Sequence, residues 1–322
     1  MKRVLVGLLL LAVLGGVLAA VGLPRPKATL LGTLPATPRA AVSYRHGLLV
    51  AAAEGGLYRI EAAGTLDPVY KVTGQHVIDL AVRGDAVYAL AFSPSRHRHD
   101  LQVVDPGRGS VLRSVSMGGS VVDLAGVLAN GRVVIIEGGQ VRFLDPTTDE
   151  TLDRVTVTGG MLTGGHLAGK TLYASRGYAG GLVIIDTRKS ELVEVIETSH
   201  WLTSAAVAGR RAYVTGSLDG PGVLDLDTHD YQRVDVIEFF VNPDGDGYAL
   251  TSGAIYRLDE NGRPVRRTRL PGNLRAAIAT AQETSILAID EYRAFIACDA
   301  KVFKLRPGWY KAVIDELPQA KD

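Results

Sequence analysis

The sequence predicts an all-β fold: a seven-bladed β-propeller of four-stranded antiparallel blades, preceded by an N-terminal hydrophobic helix. Three observations lead there. First, one pattern recurs along the chain. An apolar run that stops at a charged residue appears at Leu57–Glu61, Leu101–Asp105, Val141–Asp145, Leu182–Asp186, Gly222–Asp227, Ile255–Asp259 and Val302–Arg306. Six intervals from Glu61 to Arg306 span 245 positions, a mean period of about 41 residues, which is the spacing of propeller blades. Second, each repeat carries short period-two runs separated by Gly, Pro, Asn and Asp, the pattern of strands and turns. Third, the chain of 322 residues holds 37 Gly and 14 Pro but only 6% aromatic residues. Frequent turns and short β-branched strands follow from that composition.

The clearest unit runs from Lys170 to Ile196. Thr171–Ser175 is a short apolar run, Arg176–Gly181 a Gly-rich turn, Leu182–Asp186 a β-branched run, and Glu191–Ile196 alternates charged with apolar residues. One such sheet cannot bury both of its apolar faces, so copies must stack. The blades read as Ala40–Val72, Val77–Ser116, Val121–Val157, Leu162–Ile196, Leu202–Ile237, Phe239–Leu270 and Arg275–Ile314. Asn130-Gly131 marks a tight hairpin in the third. The propeller spans residues 40–316, with a tail at 317–322. Pro24, Pro26, Pro35 and Pro38 make residues 24–39 a stiff linker. Within it, Ala28–Leu34 is placed to pair with the last blade and close the ring.

Lys2 and Arg3 precede an uncharged apolar run from Val4 to Leu23. A run of about 20 residues suffices to cross a bilayer as a helix. Residues 1–23 read either as an uncleaved anchor or as a signal peptide. For the latter, Ala20-Val21-Gly22 or Val17-Leu18-Ala19 supplies the small residues before a cut. Positive charge keeps the amino end inside, so both readings put the propeller outside the cytoplasm: on the outer face of the cell membrane, or secreted. A formal charge of +1 and a pI near 7.9 provide no global field for nucleic acid. The basic run Arg263–Arg269 reads as a solvated outer edge strand. Cys298 is the single cysteine, so no disulfide forms within the chain. Its apolar surroundings at Ala294–Cys298 point to a buried, inert thiol.

Three stretches carry a family resemblance. Arg211–Ser217 (RAYVTGS) followed by Gly222–Thr228 (GVLDLDT), Lys170–Thr187, and Asn242–Leu250 (NPDGDGYAL) resemble the YVTN-repeat family. That family is similar in outline to surface-layer proteins and quinoprotein amine dehydrogenase chains. The resemblance covers about residues 40 to 315 and implies a propeller. Its motif residues are hairpin and core positions, so it implies no particular chemistry.

Candidate sites follow from the residues. Asn242-Pro-Asp244-Gly-Asp246-Gly247 resembles the start of a calcium loop, but Leu250 and Gly253 stand where further oxygen ligands belong. A hairpin turn is the expectation there. His97 and His99 would share a strand face, yet Arg96 and Arg98 oppose a bound cation. His166, His46 and His229 read as surface positions. The links into the innermost strands carry Arg39, Gln75-His76, Ser120, Met161, His200-Trp201, and Asn273 with Arg275. Arg39, His76, Ser120, His200, Trp201 and Arg275 are therefore the expected ligand-binding set, at one mouth of the central channel. Their chemistry suits a small anionic ligand. Asp79 and Asp123 recur within inner strands, as general-base candidates or as acceptors of backbone amides. No catalytic constellation, metal site or cofactor motif is assigned. The expectation is an exported, membrane-anchored scaffold that binds a protein or a small anionic ligand. The alternative is a hydrolase or lactonase working at the channel mouth.

Overall fold

The structure, a computed structural model, describes residues 27–45, 47–52, 56–61, 66–71, 75–118, 120–216, 220–312 and 317–320. The hydrophobic run Val4–Leu23, with its alternative readings as anchor or signal peptide, lies outside the described residues. Among those described, no helix is long and apolar enough to cross a membrane.

Seven antiparallel sheets form the propeller. The chain opens on β1 (Lys27–Thr33) and then builds blade one from β2 (Pro38–Tyr44), β3 (Gly47–Ala52), β4 (Gly56–Ile60) and β5 (Leu66–Lys71). Blade two holds β6 (His76–Arg83), β7 (Ala86–Ser93), β8 (Arg98–Asp105) and β9 (Ser110–Ser116). Blade three holds β10 (Val121–Val127), β11 (Val133–Glu137), β12 (Gln140–Leu144) and β13 (Thr151–Thr156). Blade four holds β14 (Leu162–Ala168), β15 (Thr171–Arg176), β16 (Leu182–Asp186) and β17 (Glu191–Ile196). Blade five holds β18 (Ser204–Ala208), β19 (Arg211–Gly216), β20 (Gly222–Asp225) and β21 (Tyr231–Arg233). Blade six holds β22 (Glu238–Val241), β23 (Gly247–Leu250), β24 (Ala254–Leu258) and β25 (Pro264–Arg269). Blade seven has three strands of its own, β26 (Thr284–Ile289), β27 (Ala294–Cys298) and β28 (Lys301–Arg306). Its fourth strand is β1, which pairs with β28 from Lys27↔Arg306 to Thr33↔Lys301. The inner strands touch in succession, and β2 meets β26, so the ring is closed.

Burial follows from sheet stacking. A middle strand is covered on both faces by neighbouring blades and can be apolar throughout. Thus all five residues of β11 and all five of β27 are buried. Outer strands sit where the wedges splay apart, and β17 buries only Ile196 fully. Seven apolar clusters lie between the blades. In one, Leu90 and Leu101 of blade two meet Leu124, Ile135 and Leu144 of blade three. In another, Leu48, Val50 and Ile60 of blade one meet Leu287, Phe295 and Val302 of blade seven. Each buried aliphatic side chain contributes about 1.5–3 kcal/mol, so the interfaces bind the wedges to one another.

Three features differ from the sequence reading. Gly272–Thr280 is an α-helix where blade seven was expected to begin at Arg275. Leu274 and Ile278, four apart and so on one face of the helix, are buried and pack beside Leu270 and Ile286. Next, β29 (Tyr310–Lys311) pairs with β25 and gives blade six a fifth strand. Last, the acid that closes the third strand of blade five is Asp225 rather than Asp227. Asp225 Oδ1 accepts the amides of Asp227 at 2.8 Å and Thr228 at 3.0 Å.

Candidate functional site

The seven inner strands surround a central channel with two unlike ends. The upper face is where links from the preceding blade feed each inner strand. The lower face is where the inner strands turn back into the second strands.

On the upper face, folding leaves an aromatic group uncovered. Tyr178 in the β15–β16 turn is 75% exposed, and Met161 in the link before β14 is 54% exposed. The rings of Tyr178 and Trp201 meet edge to face with centroids 4.0 Å apart. The group stands on a fixed base. Arg176 is buried, donates from Nε to the Gly180 carbonyl at 3.1 Å and pairs with the Glu197 carboxylate. The Gly177 amide donates to the Met161 carbonyl at 2.9 Å. Gly180 has φ +69°, and a Cβ there would lie 2.3 Å from the Thr198 carbonyl oxygen. Only glycine lets the turn lie against the next link. Val122 and Ile237, also at the upper ends of inner strands, are partly exposed.

The sequence-derived residues stand at the upper ends as follows. Arg39 is exposed at a register shift between Pro38 and Ala40. His76 opens β6 opposite Phe92. Ser120 is exposed in the turn before β10, and Arg275 is exposed on the helix. His200 stacks on Tyr231 of the outer strand β21, with centroids 4.3 Å apart. It therefore packs toward the outside of blade five. Beside His76, Gln75 Nε2 donates to Asp100 at 2.8 Å, and Gln102 Nε2 donates to Gln75 at 2.7 Å. His97 lies in the β7–β8 turn with φ +48°, while His99 is buried against Phe92. The two imidazoles do not share a face, because the turn intervenes.

Asp79 and Asp123 are committed to the backbone of neighbouring blades. Asp79 accepts the Leu80 amide at 2.7 Å and, across the blade boundary, the Leu124 amide at 3.0 Å. Asp123 accepts the Gly165 amide of blade four at 2.7 Å. Burial, and then the neighbouring Asp123, push the Asp79 carboxyl well above its usual range. Burial also raises Asp123. Glu238 in blade six repeats the arrangement, accepting the Ile286 amide of blade seven.

Toward the lower face the channel opens into a cavity of about 740 Å³. Every blade contributes to its wall, through Val42, Val82, Ala125, His166, Val207, Val241 and Leu287. None of the six residues of the expected ligand set lines it among the described residues. His166 belongs to this wall and not to the surface. Burial holds its imidazole below the usual value, offset in part by a hydrogen bond to the Val207 backbone. The stretch Asn242–Gly245 forms the rim and is a hairpin turn. Asn242 Oδ1 accepts the Asp246 amide at 2.8 Å, and the Asp246 carboxylate holds Arg257 at 3.0 and 3.1 Å. The sequence reading took His166 for a hairpin position, whereas β14 runs on to Ala168 and keeps His166 within the inner strand.

No protein-family model matches the sequence, and no curated protein matches it. Among solved structures, the chain is similar to the crystal structure of RRP9 WD40 repeats. The two share 8% identity with a TM-score of 0.61, over 88% of this chain and 99% of that one. The likeness is one of fold alone, a seven-bladed propeller, and fold by itself assigns no function.

Proposed function

We propose that this chain is an exported, membrane-tethered propeller of YVTN-like repeats that binds a protein partner on its upper face and does no chemistry there. One observation carries the reading: exposed Tyr178 and Met161 beside half-buried Trp201, on a turn held by Arg176 and Gly180. Aromatic side chains and Met are enriched at protein interfaces, and Trp and Tyr dominate their binding energy. Arg39 and His76 at the starts of their inner strands, Ser120 in the turn before β10 and Arg275 on the helix before blade seven supply a polar and cationic surround for carboxylates of the partner. The tether is Val4–Leu23, and the propeller lies outside the cytoplasm. Among the described residues, the groups a hydrolase would use are otherwise engaged. The inner aspartates are bonded to backbone amides, and His200 packs on Tyr231.

The test is cross-linking of the full chain in its native membrane, with the double variant Tyr178→Ala, Trp201→Ala alongside. The proposal expects a partner captured by the parent and lost from the variant at equal thermal stability. The same proteins recovered with both would refute it. Recovery of the chain in the soluble fraction after cell disruption would refute the tether.

A further inference from the structure

We propose a second site, independent of the upper face: the lower-face cavity binds a small, largely apolar, uncharged molecule that donates one hydrogen bond to His166. The wall is mostly aliphatic, with Ser43, His166, Asn242 and Asp244 as its polar lining, and its volume of about 740 Å³ is in the range of small-molecule sites. Within that wall His166 stands out. It pairs with Tyr173 across the inner hairpin. At the same hairpin position four other inner strands carry Val42, Ala81, Ala206 and Ala288, opposite Leu49, Tyr88, Tyr213 and Phe295. Of these, Val42 and Ala288 line the cavity, and Val82, Val207 and Leu287 line it from their blades, so His166 places an imidazole in a wall whose other inner strands contribute mostly aliphatic side chains. The neighbouring Gly165 is packed against Ile136 and Ala125, where a Cβ would come within 2.5 Å and 3.3 Å, so the strand that carries His166 is fixed against blade three.

The ligand class follows from hydrogen-bond capacity. A neutral imidazole has one donor nitrogen and one acceptor nitrogen. His166 bonds to the backbone of Val207. A backbone carbonyl takes the N–H, so the other nitrogen is left as an acceptor. The matching ligand group is therefore a hydroxyl or an amide N–H. Asp244 on the rim is exposed, and its charge disfavours an anion. A rigid apolar body with one hydroxyl satisfies both the wall and the imidazole.

The test uses two fluorescent probes, 1-hydroxypyrene and pyrene, titrated with the purified full chain. The expected result is that 1-hydroxypyrene binds at least ~10-fold more tightly, the order of one well-formed hydrogen bond. His166→Leu should bring the two probes to equal affinity. Ala125→Phe, which fills the channel from another blade, should abolish binding of both. Equal affinities in the parent, an unchanged ratio in His166→Leu, binding that survives Ala125→Phe, or no binding of either probe would each overturn the proposal. If His166→Leu fails to fold, the parent comparison and Ala125→Phe decide.

Discussion

The carboxylate of Asp123 in blade three accepts a hydrogen bond from the Gly165 amide in blade four at 2.7 Å. Asp79 does the same for Leu124, and Glu238 for Ile286. Apolar packing between blades is non-directional, whereas these bonds fix how far one wedge slides against the next. Asp123→Ala leaves the Gly165 amide without its acceptor and should cost about 1–3 kcal/mol. Asp123→Asn keeps an acceptor oxygen and should cost less. Denaturant midpoints of the two variants, measured against the parent, check that order.

Stability should fall as pH rises through the neutral range. Burial pushes the Glu238 carboxyl up to about 8, with the Ile286 amide opposing. The folded chain keeps a proton there that the unfolded chain releases near the ordinary carboxylate value. The contribution is therefore fully present below that ordinary value, declines as pH rises toward about 8, and is absent above it. Asp79 and Asp123 act in the same direction. Between about pH 5 and about pH 9 the melting temperature of the parent should drop by several degrees more than that of Glu238→Gln. Parallel slopes would show that Glu238 does not titrate in this way.

Cys298 should be inert in the folded protein. It is 3% exposed, and burial raises its thiol to about 11, so thiolate is scarce at neutral pH. A chromogenic disulfide reagent should react with it only as fast as the chain unfolds. Rapid labelling of the native protein would contradict the packing around β27.

Removing residues up to Thr33 should free the edge of β28. That strand would then present unpaired backbone groups along Lys301–Arg306, and an uncovered edge invites pairing between chains. The shortened protein should melt less sharply and self-associate, which size-exclusion chromatography with light scattering would show.

The architecture was readable because its repeat has a physical cause. In blades two to six the acid at the end of the third strand caps the turn into the fourth. Asp105, Asp145, Asp186 and Asp259 each accept backbone amides two to four residues ahead. The same logic explains the exception at Arg306: β28 is followed by no such turn, since its outer partner is β1. It also explains the slip at blade five, where two acids two residues apart competed for one role and Asp225 holds it. The sites were harder to read. Which inner-strand side chains point into the channel depends on register shifts near the strand starts, as between Val121 and Asp123 or Leu162 and Gly164, and no residue pattern marks them. The helix at Gly272–Thr280 hid for a different reason: two buried residues four apart in a nine-residue stretch fit either period.

The seal between β1 and β28 also dictates a timetable. Lys27 leaves the ribosome early, yet its hydrogen-bonding partner is Arg306. The first strand must wait, unmatched, until β28 has been synthesised, so the ring cannot shut before the strands of its seventh blade exist.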